Sequence, residues 1–244
     1  RLPFFTAAGL ALANVAYGFF VLPESLRSED RRAFELPRAN PVGAVVQMAR
    51  YPAVLGLLVV MVPYLVAHDA NPATWQWYTM LKFGWDASDV GWSLFVVGVS
   101  MLVVQGWLIR FVIDRVGERN AVYLGFGFGS AGFFGFAFAT QGSMMYALIV
   151  PFCIFGRATL ALRSIMSNVV PANAQGELQG ALSSLMSATA VVAPFVMTQV
   201  FHVFAADDAP VYFPGAPFFL AGALTAVAVA GFALASRRAR APAA

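Results

Sequence analysis

Charged side chains are scarce in this sequence: lysine, arginine, aspartate and glutamate make up 11% of its 244 residues, whereas hydrophobic residues make up 60%. A soluble domain carries about 25% charged residues, so a water-soluble globule is excluded. Cysteine occurs once, at Cys153, which rules out a disulfide framework or a cysteine-rich metal site within one chain. Neither histidine, His68 or His202, has metal-ligand spacing around it. The formal charge of +3 is too small to hold a polyanion, and the aromatic residues lie in apolar stretches rather than beside basic ones. Nucleic acid is not an expected partner. No nucleophile, base and orienter set and no paired carboxylates fall at membrane depth, so an enzyme is the weakest functional class, and the alternation of a β-barrel is missing.

What is abundant is apolar length. Charge-poor stretches recur at Leu2 to Leu22, Pro52 to Ala67, Val90 to Ile109, Ala121 to Ala139, Met144 to Arg163, Leu178 to Phe204 and Ala216 to Ala235. Each is near the roughly 20 helical residues that cross about 30 Å of hydrocarbon. The expected fold is an all-α integral membrane protein of about seven transmembrane helices, with the lipid bilayer as its first partner. The opening stretch is too long for a signal peptide's apolar core and reads as a helix of a longer, twelve-helix chain. Between the first two stretches, Pro23 to Arg50 mixes acids and bases around Pro37 and Pro41 and reads as a linker. The expected organisation is residues 1–22 as the last helix of a first half, 23–50 as a cytoplasmic linker and 51–244 as a six-helix second half.

Basic residues set the orientation, because cytoplasmic loops carry their excess. With the linker inside, Arg27, Arg31, Arg32, Arg38, Arg50, Arg110, Arg115, Arg119, Arg163, Arg237, Arg238 and Arg240 all fall inside. Arg1 and Lys82 fall outside, and Arg157 lies within a span. The C-terminus is therefore expected in the cytoplasm. Outside, Trp75, Trp77, Trp85 and Trp92 gather near Asp86 and Asp89, as tryptophan does at headgroup level. The polar stretch Ala73 to Gly84 reads as an outward helical extension or a re-entrant turn after Asn71-Pro72.

Gly127-Phe-Gly129-Ser-Ala-Gly132 has the G-x-G-x-x-G spacing of a dinucleotide site but lies in an apolar helix with no acid about 20 residues on. Gly125, Gly129 and Gly132 instead suit close helix packing in lipid. The turn Arg110-Phe-Val-Ile-Asp114-Arg115-Val-Gly117-Glu118-Arg119 is either a topology signal or a gate latch in which Asp114 accepts hydrogen bonds in one conformation only. Arg157, the one charge well inside a span, is a functional candidate. It either lines a cavity or snorkels to the headgroups from roughly 10 Å, taking its helix to end near Arg163. Gln105 and Gln199 can serve a translocation path or glue helices. His68 and Asp69 read as a solvated boundary at a span end, with a protonatable pair as the alternative. Pro63, Pro151 and Pro194 interrupt helices and permit kinks.

Ile113-Asp114-Arg115-Val116-Gly117-Glu118-Arg119 resembles the D-R-x-G-R/K loop of the major facilitator superfamily, in its copy between the eighth and ninth helices. Gln175-Gly-Glu-Leu-Gln-Gly180 is similar to the signature opening the eleventh helix in the tetracycline-efflux branch. Leu22-Pro-Glu-Ser25 and Phe83-Gly-Trp85 with Val90-Gly91 add to the likeness, which covers nearly the whole chain in family order. The resemblance implies the second half of a major facilitator fold plus the preceding helix, a first half as partner, and a bacterial inner membrane as location. It also implies a cytoplasmic gate at Asp114, Arg115, Gly117 and Arg119. Two departures matter: the branch has a histidine at what is Met101 here and an aspartate at what is Gly129. The loop also has Arg110 where the family motif begins with glycine.

The leading expectation is secondary transport of a small, amphipathic molecule by alternating access, efflux-type, with Arg157, Gln105 and Met101 as substrate-cavity candidates. Uptake of a metabolite on the same fold, and a non-transporting scaffold or receptor, are the competing readings. No cofactor is expected, and proton coupling stays open. The arginine distribution predicts that Pro23 to Arg50 and Arg237 to Arg240 share one face of the membrane. Cysteines placed at Ser28 and Ser236, in a variant lacking Cys153, should react with an impermeant maleimide from the same side; labelling from opposite sides would rule out seven spans.

Overall fold

In the computed structural model, which describes residues 2–21, 43, 46, 48–104, 115–155, 158–206 and 208–238, the regular elements are all helices. In chain order they are α1 (Leu2–Phe20), α2 (Pro52–His68), α3 (Ala70–Phe83), α4 (Ala87–Val103) and α5 (Glu118–Phe138). There follow α6 (Gly142–Phe155), α7 (Ala158–Val169), α8 (Gln175–Ala205) and α9 (Ala216–Arg238). Pro52–Phe83, Glu118–Phe138, Ala172–Ala205 and Ala216–Ser236 are long and apolar enough to cross a membrane, and Phe4–Phe20, Ala87–Val103 and Gly142–Cys153 are shorter apolar helices. These correspond to the seven expected spans. Most of the expected linker, residues 23–42, lies outside the described residues. Its end, Met48–Arg50, forms a 3-10 turn with Met48 buried.

Helix α1 belongs to a unit of its own, Arg1–Phe34, separate from Glu35–Ala244. Within the larger unit, α5 packs on α6, α7 and α9, and α9 also packs on α2. Small residues make these approaches possible. A Cβ added at Gly222 of α9 would stand 2.9 Å from the Phe134 ring, one at Gly231 would stand 3.0 Å from Val60, and one at Gly132 of α5 would stand 2.6 Å from Phe152 of α6. Gly125 and Gly129 are buried on α5 as well. Beside them, the Ser130 hydroxyl donates to the Gly222 carbonyl at 2.9 Å. Backbones that come this close gain dispersion contacts, which drive helix association where lipid offers no hydrophobic effect.

Several boundaries differ from the sequence-based spans, and one difference changes an interpretation. Helix α7 continues past Arg163 to Val169, α8 begins at Gln175 rather than Leu178, and α5 begins at Glu118 rather than Ala121. More consequentially, α2 and α3 are two arms of one rod. Asp69 keeps near-helical dihedrals (φ −73°, ψ −9°), its N–H reaches the Leu65 carbonyl at 3.3 Å, and the Ala73 N–H reaches the Asp69 carbonyl at 3.1 Å. The re-entrant alternative is thereby removed, and His68 and Asp69 stand mid-rod and half-buried rather than at a solvated span end.

The polar residues of α3 are absorbed by neighbours. Thr74 and Thr79 donate to the carbonyls of Ala70 and Trp75 at 2.7 and 2.9 Å, and the Trp75 indole N–H donates to Ser93 of α4 at 3.0 Å. Tyr78 donates to the Phe136 carbonyl at 2.5 Å. Lys82 donates to the Tyr78 hydroxyl at 3.1 Å and to the Ala137 carbonyl at 3.2 Å. The last carbonyls of α5, which no helical N–H can reach, thus gain partners and a cation. Gly84 then ends the rod in the left-handed region (φ 65°) with its N–H on the Met80 carbonyl, as a helix-terminating glycine does. Asp86 and Asp89 form a capping box at the start of α4. Pro63, Pro151 and Pro194 all fall inside helices, as expected.

The contact of Gly132 with Phe152 generates a prediction. Gly132→Ala should destabilise the bundle by about 1–3 kcal/mol, the usual cost of overpacking. Adding Phe152→Leu should recover most of it. Thermal unfolding of the purified full-length protein followed by size-exclusion chromatography measures both; two independent, additive losses would mean that the helices do not meet at this pair.

Candidate functional site

The charged turn before α5 is the place where the bundle's helix ends are bound together. Asp114 lies outside the described residues. Arg115 is exposed. Gly117 is the N-cap of α5 with φ 79° and ψ 153°, a conformation open to glycine and strained for residues with a Cβ. No atom lies within 4 Å of where its Cβ would be, so the demand is conformational and not steric. Asn120 steadies the turn by donating to the Val116 carbonyl at 3.0 Å.

Two neighbouring residues then reach in different directions, since successive helical side chains diverge by about 100°. The Glu118 carboxylate accepts from the Ser164 hydroxyl and from the Asn168 amide at 3.3 Å, which ties α5 to α7. A carboxylate in the first turn also faces the positive end of the helix dipole. Arg119 donates to the Ser236 hydroxyl at 2.7 Å, which ties α5 to α9, and the Tyr123 hydroxyl lies 3.2 Å from the same oxygen.

A third tie comes from Gln175, the first residue of α8. Its amide N–H groups donate to the carbonyls of Ser167 and Val170, each at 2.8 Å, and its amide oxygen accepts from the Ser167 hydroxyl at 3.0 Å. The side chain of one helix start thus caps the end of the helix before it, where carbonyls lack N–H partners. Four helix termini are joined by hydrogen bonds between side chains, or from a side chain to a backbone carbonyl, at the rim of the bundle. Water can replace such bonds when they part, which keeps the cost of separation to about 0.5–1.5 kcal/mol for each neutral bond and 1.5–3 for those to a charged group. That suits contacts made in one conformation and broken in another.

The sequence pointed to Gly117 and Arg119 but not to what they hold. Ser236, Ser164, Asn168 and the capping action of Gln175 were missed. Ser164 and Asn168 are four apart and so share a helix face, and with Ser167 they make the second half of this helix polar, which was the available signal. Of the cavity candidates, Met101 is half-buried near the end of α4, whereas Gln105 and Arg157 lie outside the described residues. Gly129, where the resembling branch has an acid, is buried on α5.

A sequence profile described as the Major Facilitator Superfamily matches residues 1–194. The chain belongs to this superfamily. Curated relatives narrow the similarity. The chain is 30% identical over 199 residues to the class C tetracycline resistance protein of Escherichia coli, a stretch covering 82% of this chain and 50% of the relative. It is 28% identical over 200 residues to the class B protein of the same organism, again with 82% and 50% covered. The class E protein is 35% identical over 141 residues, covering 58% of this chain and 35% of its own length. The chain therefore spans about half the length of the first two relatives. An integral membrane protein with an all-helical major facilitator fold is established by the family match together with the apolar helices.

Within this superfamily member, two glycines of the rim separate conformation from space. Gly117→Ala should cost roughly 1–3 kcal/mol, because alanine must adopt a glycine backbone conformation. Gly176→Ala, in the first turn of α8 with no atom within 4 Å of the added Cβ, should be neutral or stabilising. Melting of the two full-length variants side by side gives the comparison; equal midpoints would show that the turn at Gly117 relaxes freely.

Proposed function

We propose that this chain forms the second half of a secondary transporter that exports a small, amphipathic molecule by alternating access. The similarity to tetracycline resistance proteins over 82% of the chain carries the reading. The hydrogen-bonded rim supports it: the ties of Glu118, Arg119 and Gln175 hold one arrangement of helix ends and can be exchanged for water in another. A ligand or gradient then shifts the balance between the two arrangements by its differential affinity. Asp114 and Arg115 belong to the same turn and act with this latch. A first half of the same transporter is the partner against which these helices rock. The reading places the protein in a bacterial inner membrane, with the arginine-rich ends in the cytoplasm. Tetracycline is one candidate cargo, but the histidine and aspartate of the resembling branch are replaced by Met101 and Gly129, so the cargo set is expected to differ.

Transport by the full-length protein tests the proposal. Expression in a drug-susceptible strain should lower the accumulation of tetracycline or of another amphipathic drug in a panel, and a protonophore should restore it. Equal accumulation with and without the protein, across the panel, would count against export. Arg157 supplies the residue-level arm. If its guanidinium meets an anionic or polar group of the cargo, both Arg157→Lys and Arg157→Leu lose transport, because lysine lacks the planar five-donor fork. If it snorkels, lysine is tolerated. Parental transport in both variants would remove Arg157 from the cavity.

A further inference from the structure

Arg163 is a half-buried cation of α7 that none of the rim ties uses. Its Nη2 group has a thioether as partner, the Met186 sulfur of α8 at 2.8 Å, and its Nε–H is shielded from solvent with no acceptor. Sulfur is a weak acceptor, and an N–H withdrawn from water without an acceptor costs free energy, more so on a charged group. Among the described residues no carboxylate bonds to this guanidinium. Glu118 is taken up by Ser164 and Asn168. Glu177 stands in the first turn of α8, about 13 Å along the helix from Met186.

The direction of the side chain separates this arginine from a plain topology charge. Helical side chains lean toward the N-terminus of their helix, and α7 ends at the arginine-rich rim, where Gln175 caps the Val170 carbonyl. Arg163 therefore points into the bilayer and not toward the headgroups. Its contact agrees with this. From Arg163 to Val169, the last residue of α7, is about 9 Å, whereas from Gln175, the first residue of α8, to Met186 is about 16 Å. The short turn Ala172–Ala174 joins the two helix ends, so both distances are counted from one level. A snorkelling arginine would reach the other way.

Met186 shares its face of α8 with Ser183 and Ala190, three and four residues away. Ser187 follows it, and all four are exposed. Hydroxyls and an arginine at membrane depth belong beside a water-filled path rather than lipid. The edge of a guanidinium that carries Nε and Nη2 grips the two oxygens of a carboxylate or phosphate with parallel bonds. At Arg163 that edge holds a sulfur and an unmet donor. Methionine is flexible, with three rotatable bonds, so Met186 can leave the edge when a better acceptor arrives.

We infer that Arg163 is an anion-recognition residue on the translocation path: its Nε–Nη2 edge takes the carboxylate of an amphipathic cargo, and Met186 occupies that edge while the path is empty. The inference rests on the transport reading above, so binding and transport are measured apart. The probes are dansylglycine, an amphipathic carboxylate, and its uncharged amide, with purified full-length protein in phosphatidylcholine nanodiscs. Fluorescence titration should show the acid bound at least about tenfold more tightly than the amide. In Arg163→Gln the two affinities should fall within about twofold of each other. Arg163→Lys should keep only part of the preference, because lysine brings the charge without the two-donor edge. Met186→Ala should tighten the acid about twofold or more and leave the amide unchanged, since no sulfur has to be displaced; a merely structural methionine would move both or neither. Should Arg163→Gln fail to fold, the lysine and Met186 variants carry the test. A parent that does not prefer the acid overturns the inference. So does a preference that survives in Arg163→Gln, the result expected if Arg163 instead pairs with a carboxylate of the first half. Loss of the preference when phosphatidylglycerol is added to the nanodiscs would give the site to lipid headgroups and overturn it as well. If the acid is preferred through Arg163 while neither probe crosses in proteoliposomes, the transport reading falls and the anion site stands. If tetracycline is exported but the acid is not preferred, the anion site falls and the transport reading stands.

Discussion

Hydrocarbon offers no partner to a peptide N–H or carbonyl, and the arrangement of this bundle follows from that constraint. Inside a helix the ladder meets it automatically. At a helix end it fails, and at several ends among the described residues a side chain supplies the partner. The final carbonyls of α5 receive Tyr78 and Lys82 from α3, the end of α7 receives Gln175 from α8, and the start of α4 is closed by its own Asp86–Asp89 box. The polar residues that depart from the apolar pattern are therefore concentrated where the backbone runs out of internal partners. Tertiary contacts and backbone satisfaction are the same contacts here.

This gives the two rims different characters. At the arginine-rich end, Glu118 and Arg119 bond to hydroxyls and an amide carried by α7 and α9, groups that water can replace. At the other end, Tyr78 is fully buried and bonded to a backbone carbonyl, Phe136, with the Phe218 ring 4.9 Å away. Opening that end would leave a buried carbonyl and a hydroxyl unpaired at once, at the full desolvation cost of both. The ties at the arginine-rich rim are therefore the cheaper of the two sets to exchange.

Much of the fold was legible because the membrane simplifies the grammar: apolar length alone marks Ala121 to Ala139 or Ala216 to Ala235 as spans. Apolar length left two readings for Ala73 to Gly84, an outward helical extension or a re-entrant turn, because threonine, tryptophan, tyrosine and lysine raise its polarity; the extension is what forms. The structure shows those groups bonded to neighbouring helices, information that lies in no local window. His68 and Asp69 read as a solvated boundary for the same reason, and stand half-buried within the rod instead. At the rim, the glycine and charges of the turn were visible, but the partners of Glu118 and Arg119 sit 46 and 117 residues away along the chain. Residue type announces that a bond will be made; only packing says with whom. Gly132 was legible as a packing residue, since a missing side chain in lipid has few other uses, yet its opposite number, Phe152, was not.

The union of α2 and α3 has a mechanical side. A helical rod of 32 residues is about 48 Å long at 1.5 Å per residue, half again the thickness of the hydrocarbon layer. Its lower arm is gripped by α9 and its upper arm by α8. Such a rod is a lever with its fulcrum near His68: a tilt of about 10° at one grip displaces a tip some 24 Å away by about 4 Å, more than the reach of a hydrogen bond. A small angular change at one grip is thus felt as several ångströms at the far end of the rod.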